Sequence, residues 1–449
     1  MGSRGGQGGR RWPVVAVGAA TIAALVLVVV GLAVRLDGAP REAAGARFSR
    51  TPEVAPLPRP VGLQGWNSSA FVNDNLWSEG ERRFAVWVDG RGNPVVGRRQ
   101  GDGDWHTADL GRLAGNPLGA PTAPDAHRIY VIAVDGAGYV HVAGNMHADA
   151  LRYVRSERPF DIDSWVRPGM VGADETSVTY PAFARAPGGD LLFFYRDGGA
   201  GHGDVVLNRL DPAAGRWHRV GTLLDGRSSG ESPYLQRIAV DHGRGTIHVV
   251  FLWRSGEDAA TNRDVSYLRS TDGGTTWEAS DGSPRPLPVT HGTAEVVAPT
   301  TGRSPRLLNQ GALAVDPSGR PHAVFRVHGD DPAAALHVWQ EAGRWRAEAL
   351  SGLRRLAGRP ALVGNGGPLR LVWTERKGDQ IDLRVAALDG RRATGAFSLG
   401  RLPVRQWEPT FDSAAAAGGE LRMLLPLRPT ESSPDGAEAA VVTWPLPAI

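Results

Sequence analysis

The chain has 449 residues, 41% hydrophobic and 22% charged, a balance within the globular range and enough for one large all-β domain or two ordinary ones. Its formal charge is only +3, and its basic residues (one lysine, Lys377, and otherwise arginine) are scattered, which argues against a nucleic-acid partner. There is no cysteine, so disulfides and thiolate metal sites are ruled out.

In chain order, residues 1–12 form a basic tail with Arg4, Arg10 and Arg11. Residues 13–35 contain an uncharged run, Pro13 to Val34, that as a helix at ~1.5 Å per residue would be about 33 Å long and would cross a bilayer. The arginines before it favour a cytoplasmic N-terminus, and no small-residue cleavage site follows closely. The expectation is an uncleaved single-pass anchor in the cell membrane with the remainder outside, or a secreted protein if the segment is cleaved. Residues 36–60, rich in Ala, Pro and Arg, read as a linker.

From residue 61 to 449 one pattern recurs: an apolar run, a turn ending in glycine, and a second apolar run. The turn glycines are Gly92, Gly138, Gly189, Gly245, Gly319, Gly367 and Gly419, spaced by 46 to 74 residues. That is the length of a four-stranded blade, and seven copies predict an all-β, seven-bladed β-propeller. Strand A precedes each turn and strand B follows it. The longest interval holds Ser270–Trp277, STDGGTTW, which matches the Asp-box of BNR-repeat propellers. Its aspartate is expected to tie down a turn between outer strands, and its tryptophan to pack between blades.

Residues equidistant from a hairpin turn face each other, and the open ends of the hairpins share one rim of the ring. On that basis His127 faces His147, Tyr180 faces Arg196, and Tyr234 faces Arg254, on three successive blades. A fifth-blade pair would be Asn309 and His328. His202, in a glycine-rich loop on the same rim, and Trp253, beside Arg254, are further candidates for ligand contact, the latter as a sugar platform. His141, His248 and His322 share one repeat phase and read as packing residues, as do Trp66, Trp77, Trp165, Trp217, Trp277 and Trp373.

The stretches at 139–153, 177–204, 232–241 and 247–254 resemble the BNR-4 repeat-containing family, which includes ulvan-lyase-like polysaccharide lyases with seven-bladed propellers. The TYP and FFYR pieces are the most specific, and the resemblance runs from about Trp66 to Arg326. It implies that His127, His147, Tyr180, Arg196 and Tyr234 surround a uronate and carry catalysis; repeat phase and rim position add Arg254, Trp253, His202 and Asn309 as substrate-binding candidates. The implied partner is an anionic, uronate-containing polysaccharide, acted on by a monomer.

β-Elimination requires neutralisation of the uronate carboxylate, a base at C5 and an acid at O4. Arg196 suits the first role as a bidentate partner, with His127 donating a hydrogen bond. Tyr180 and His147 suit the proton transfers, an arginine neighbour being expected to lower the Tyr180 pKa. Tyr234 and Arg254 would orient the sugar. No cofactor is required and no metal ligand set is assigned; a structural cation in a loop is compatible with the sequence. Two alternatives stand beside the lyase: a non-catalytic glycan-binding propeller and a sialidase-like glycoside hydrolase. Against the hydrolase, Asp197, Asp204 and Glu231 lack symmetric carboxylate partners.

Overall fold

A computed structural model describes residues 51–449 except 64–66, 68, 120–124, 301–305, 329–334, 354, 365–366, 391, 406, 431–432 and 447–449. The expected anchor at 13–35 and Trp66 lie outside the described residues. Among the described residues, no helix is long and apolar enough to cross a membrane.

Seven sheets, antiparallel except for one short parallel pair at the edge of the third, form seven blades, and the innermost strands of the first six touch in sequence. The first blade runs from Leu76–Glu79 to His106–Asp109, the second from Tyr130–Val134 to Trp165–Val166, and the third from Val178–Arg185 to Arg216–Asp225. The fourth begins at Ser232–Asp241 and ends at Glu295–Ala298; the fifth and sixth span Ala312–Val315 to Arg344–Ala349 and Ala361–Val363 to Arg392–Leu402. The seventh pairs Glu420–Thr430 with Ser433–Pro445.

The seventh blade is completed from the other end of the chain. Glu53–Pro56 pairs with Ser433–Pro445, Glu53 opposite Thr443 and Pro56 opposite Ala440, so the ring is closed by hydrogen bonds between the two ends of the propeller. The stretch expected to be linker therefore contributes a strand, and the propeller begins before residue 61. The seventh strand A is also absent: Ser413–Ala417 is a short helix, α1, capped by Asp412, whose carboxylate accepts from the amides of Ala414 and Ala415. A run of four alanines with an Asp cap favours helix over strand.

Local chemistry explains the repeated A–B turns. Asp89, Asp135 and Asp316 each accept two backbone N–H bonds across their turns, from Arg91 and Asn93, Ala137 and Tyr139, and Ser318 and Arg320 respectively. The glycines that close them, Gly92, Gly138 and Gly319, have φ of 88°, 89° and 80°, a conformation costly for other residues. In the Asp-box, Asp272 accepts from the amides of Thr275 and Thr276 and the Thr276 hydroxyl, while Trp277 is buried between blades. His141, His248 and His322 are buried, bonded to Tyr153, Tyr267 and His337. Trp77, Trp217, Trp277 and Trp373 lie in the core, with Trp165 packed against it.

Candidate active site

The site is built from irregularities at the open ends of adjacent blades. In the third blade Thr179 pairs with Arg196 and Ala182 with Phe194, so Tyr180 and Pro181 share the space opposite Tyr195. Pro181 has no N–H to give the ladder, and Tyr180 adopts φ of 55°, a bulge that re-aims its side chain. The expected Tyr180–Arg196 register is thus off by one. The bulge nevertheless brings the guanidinium carbon of Arg196 to 4.9 Å from the Tyr180 ring centroid. In the fourth blade Ser232, not Tyr234, lies opposite Arg254. A shift of two residues keeps the same face, and the Arg254 guanidinium carbon sits 4.2 Å from the Tyr234 ring centroid.

His147 belongs to a short strand, His147–Asp149, that leaves the second blade and pairs with Val178 and Thr179 of the third. Its ring stacks on His127 at 4.1 Å, and Phe71 stacks on the other side of His127 at 4.7 Å. Tyr180 is 5.7 Å from His127 and 5.9 Å from Tyr234. Five expected residues, His127, His147, Tyr180, Arg196 and Tyr234, therefore form one continuous cluster with Arg254 at its edge.

The cluster has two layers. His127 and His147, with side chains 31% and 37% exposed, and the part-exposed Tyr180 face solvent. Arg196, 4% exposed, lies beneath with Tyr234 and Arg254. Arg196 donates to Tyr234 Oη at 3.0 Å and to Thr179 Oγ1 at 3.3 Å, and its Nε is buried without a partner. Arg254 donates to the carbonyls of Gly256 and Glu257. Among the described residues neither guanidinium has a carboxylate partner, so the floor of the site carries uncompensated positive charge. The bidentate contact expected of Arg196 is not open, because its fork is taken up by Tyr234 and Thr179.

Three residues of the cluster escaped the sequence reading. Asp125 lies between the histidines: Oδ1 meets His127 Nδ1 at 2.9 Å and Oδ2 meets His147 Nδ1 at 2.8 Å. Arg359 lies over Phe71 at 5.3 Å and donates to Glu408 at 2.8 Å and to the carbonyl of Asn309 at 2.6 Å. Phe71 is the third. Arg359 precedes the sixth strand A by two residues, close to the repeat phase of Tyr180, and that phase was the available signal. Asp125 had one too, a carboxylate two residues before a histidine. Phe71 had none.

Burial pushes the Tyr180 phenol up to about 12, against the opposing pull of Arg196, so the expected lowering by arginine is overturned. Burial likewise holds His127 below its ordinary value despite Asp125. The contact with Asp125 occupies His127 Nδ1 and leaves only Nε2 of that ring for a ligand. Partial burial works to raise Asp125, but the His127 amide and both ring N–H groups outweigh it and hold the carboxyl down to about 2. Asp125, His127 and His147 are also close enough together to hold a cation. Both carboxylate oxygens, however, are already engaged by ring nitrogens.

Other candidates sit apart. Trp253 is 0% exposed, bonded to Ser266 and stacked on His291 at 4.9 Å, so it is core and not a sugar platform. Successive strand residues face opposite ways, and aiming Arg254 at the site turns Trp253 into the inter-blade core. Trp253→Ala is therefore expected to lower folding stability by about 3–5 kcal/mol. Chemical denaturation checks it; unchanged stability with a weakened substrate affinity would restore the platform. His202 is exposed at the start of the strand His202–Asp211 and makes no hydrogen bond or ring contact with the cluster among the described residues. Asn309 is buried and accepts from Arg254 at 3.5 Å and Asn262 at 3.3 Å; it does not pair with His328, whose amide donates to the Arg306 carbonyl.

Comparison with known proteins agrees with this architecture. The chain is 23% identical over 368 residues to an ulvan lyase of Alteromonas sp. (strain LOR), an alignment covering 71% of this chain and 72% of that one. It is 22% identical over 294 residues to Ulvan Lyase-PL25 of Pseudoalteromonas sp. (strain PLSV), covering 56% and 57%. Among solved structures it superposes on a PL25 ulvan lyase, also solved bound to -[GlcA(1-4)Rha3S]-, with TM-score 0.68, 16% identity and coverage of 86% and 96%. The polysaccharide lyase Uly1 matches with TM-score 0.66, 14% identity and coverage of 90% and 100%. A family model described as "BNR repeat-containing family member" matches residues 82–352, more than half of the sequence, and the chain belongs to that family.

Proposed function

We propose that the chain is a polysaccharide lyase that cleaves a uronate-containing polymer by β-elimination. The observation that carries this reading is the pairing of a cationic floor, Arg196 and Arg254, which has no carboxylate partner among the described residues, with the part-exposed imidazoles of His127 and His147 and the Tyr180 phenol above it. A ligand carboxylate over that floor would lower the cost of forming an enolate-like state at C5. Arg359, part-exposed at the edge, is the guanidinium best placed to touch it, and Tyr234, polarised by Arg196, supports it from below.

The geometry supports a division of the proton transfers between two residues. With Nδ1 of each imidazole turned to Asp125, Nε2 is the free ring nitrogen, and His147 is the base that takes the C5 proton. The C5–H electrons form the C4=C5 double bond as the C4–O4 bond breaks. Tyr180, protonated because burial raises its pKa, gives its proton to O4. The resulting phenolate lies against the Arg196 guanidinium, and solvent returns the proton from His147 to Tyr180. No cofactor is needed in this scheme.

A two-carboxylate hydrolase is less well supported. Asp197 and Asp204 are both bound by Arg227, at 2.6 and 2.9 Å, and Glu231 pairs with Arg263 and His291. These acids are already engaged by cationic or imidazole partners. The ulvan lyase relatives support a uronate polymer as substrate, and the uncharged run within residues 13–35 supports action outside the cell from a membrane tether. The test is incubation of the full chain with glucuronate- or iduronate-containing polymers and with a neutral glucan. Ultraviolet absorbance from an unsaturated uronate is expected with the former alone. New reducing ends without that absorbance, or retention without product, would overturn the proposal.

A further inference from the structure

The two imidazoles share one carboxylate. A single carboxylate with a ring nitrogen at each oxygen accepts two N–H bonds in parallel, and the rings it holds lie 19° from coplanar stacking. The clamp is itself fixed. The His127 amide donates to Asp125 at 2.9 Å, and Arg128 lies 3.8 Å from its other oxygen while donating to Asp149 at 2.7 Å. Asp149 in turn accepts from the His147 amide at 3.1 Å. Phe71 closes the free face of His127, and Tyr180 and Arg196 face it from the third blade.

We propose that Asp125 is a positioning residue that fixes both imidazoles with hydrogen on Nδ1, so that two Nε2 lone pairs stand side by side. This inference rests on the lyase reading for its kinetic consequence, but not for its structural one. An isolated neutral imidazole can carry its hydrogen on either nitrogen; an ionised carboxylate at Nδ1 selects one form. The arrangement holds a base and its counter-charge in place before substrate arrives.

The experiment has two arms on the full chain. Nitrogen NMR of histidine-labelled protein, assigned by difference with His127→Gln and His147→Gln, is expected to show hydrogen on Nδ1 of both rings at neutral pH. In Asp125→Asn, whose amide oxygen can accept from only one ring in the same manner, at least one ring is expected to move its hydrogen to Nε2. Kinetically, Asp125→Asn is expected to lose about 100-fold or more in kcat, with KM little changed. Its acid limb should move to lower pH, because the lost anion no longer favours imidazolium; Asp125→Glu should recover part of kcat. Wild-type rings with hydrogen on Nε2, or an Asn variant with unaltered kcat and pH profile, would overturn the proposal. A wild-type chain that forms no unsaturated uronate would sink the lyase reading alone, since the nitrogen spectra still decide the tautomers.

Discussion

Replacing Tyr180 with phenylalanine is expected to lower kcat for elimination by about 10²- to 10⁴-fold, the range of a lost general acid, while thermal stability stays within ~2 °C of the parent. The two halves of that expectation come from different features. The Tyr180 hydroxyl makes no hydrogen bond to a described residue, so its removal leaves no protein group unpaired. Its ring contacts with Phe71, His127 and Tyr234 are kept by phenylalanine, so the bulge and the wall it forms persist. What disappears is the proton for O4. Steady-state kinetics with a thermal melt checks both halves; a variant that retains parental kcat would remove Tyr180 from the chemistry.

Arg196→Lys is expected to cost about 10²- to 10³-fold in kcat/KM, the loss seen when one preorganised donor is removed. The substitution keeps the charge, so the effect isolates geometry. Arg196 reaches Tyr234 of the fourth blade with one nitrogen and Thr179 of the third with the other. Thr179 also accepts from the amide of Ala148, next to His147, at 2.8 Å. One guanidinium thereby ties the supports of three blades together, and a single ammonium cannot span both partners. The variant should also lose about 1–3 kcal/mol of stability from the polar groups left unpaired. Kinetics alongside chemical denaturation reads both numbers, and activity within a few-fold of the parent would show that the fork has no role in the reaction.

The sequence displayed the ring and the position of the site more clearly than the contacts within it. The turn glycines of the first five blades repeat because those A–B reversals close on positive φ, in the first, second and fifth after an Asp that caps the turn, and that chemistry is written in three or four consecutive residues. The rim candidates followed from phase alone. Phase fails where a strand departs from regular pairing, as at Tyr180–Pro181, where a proline-assisted bulge moves the register by one yet keeps the tyrosine in the site. It also fails by face, as with Trp253, which alternation places in the core once Arg254 points to the pocket. Phe71 contributes through contacts with segments far along the chain, which no local pattern encodes, whereas Asp125 and Arg359 left only weak signals in spacing and repeat phase. The closing strand at Glu53–Pro56 was hidden for the same reason: its four residues lie in a proline- and alanine-rich stretch, and only their pairing with the far end of the chain makes them a strand.

Mass spectrometry of the products from one defined uronate oligosaccharide tests the account most directly. Elimination breaks C4–O4 without adding water, so the masses of the two fragments should sum to that of the parent, with the unsaturated uronate on one of them. Fragments that together weigh one water more than the parent, or an oligosaccharide left whole, would contradict it.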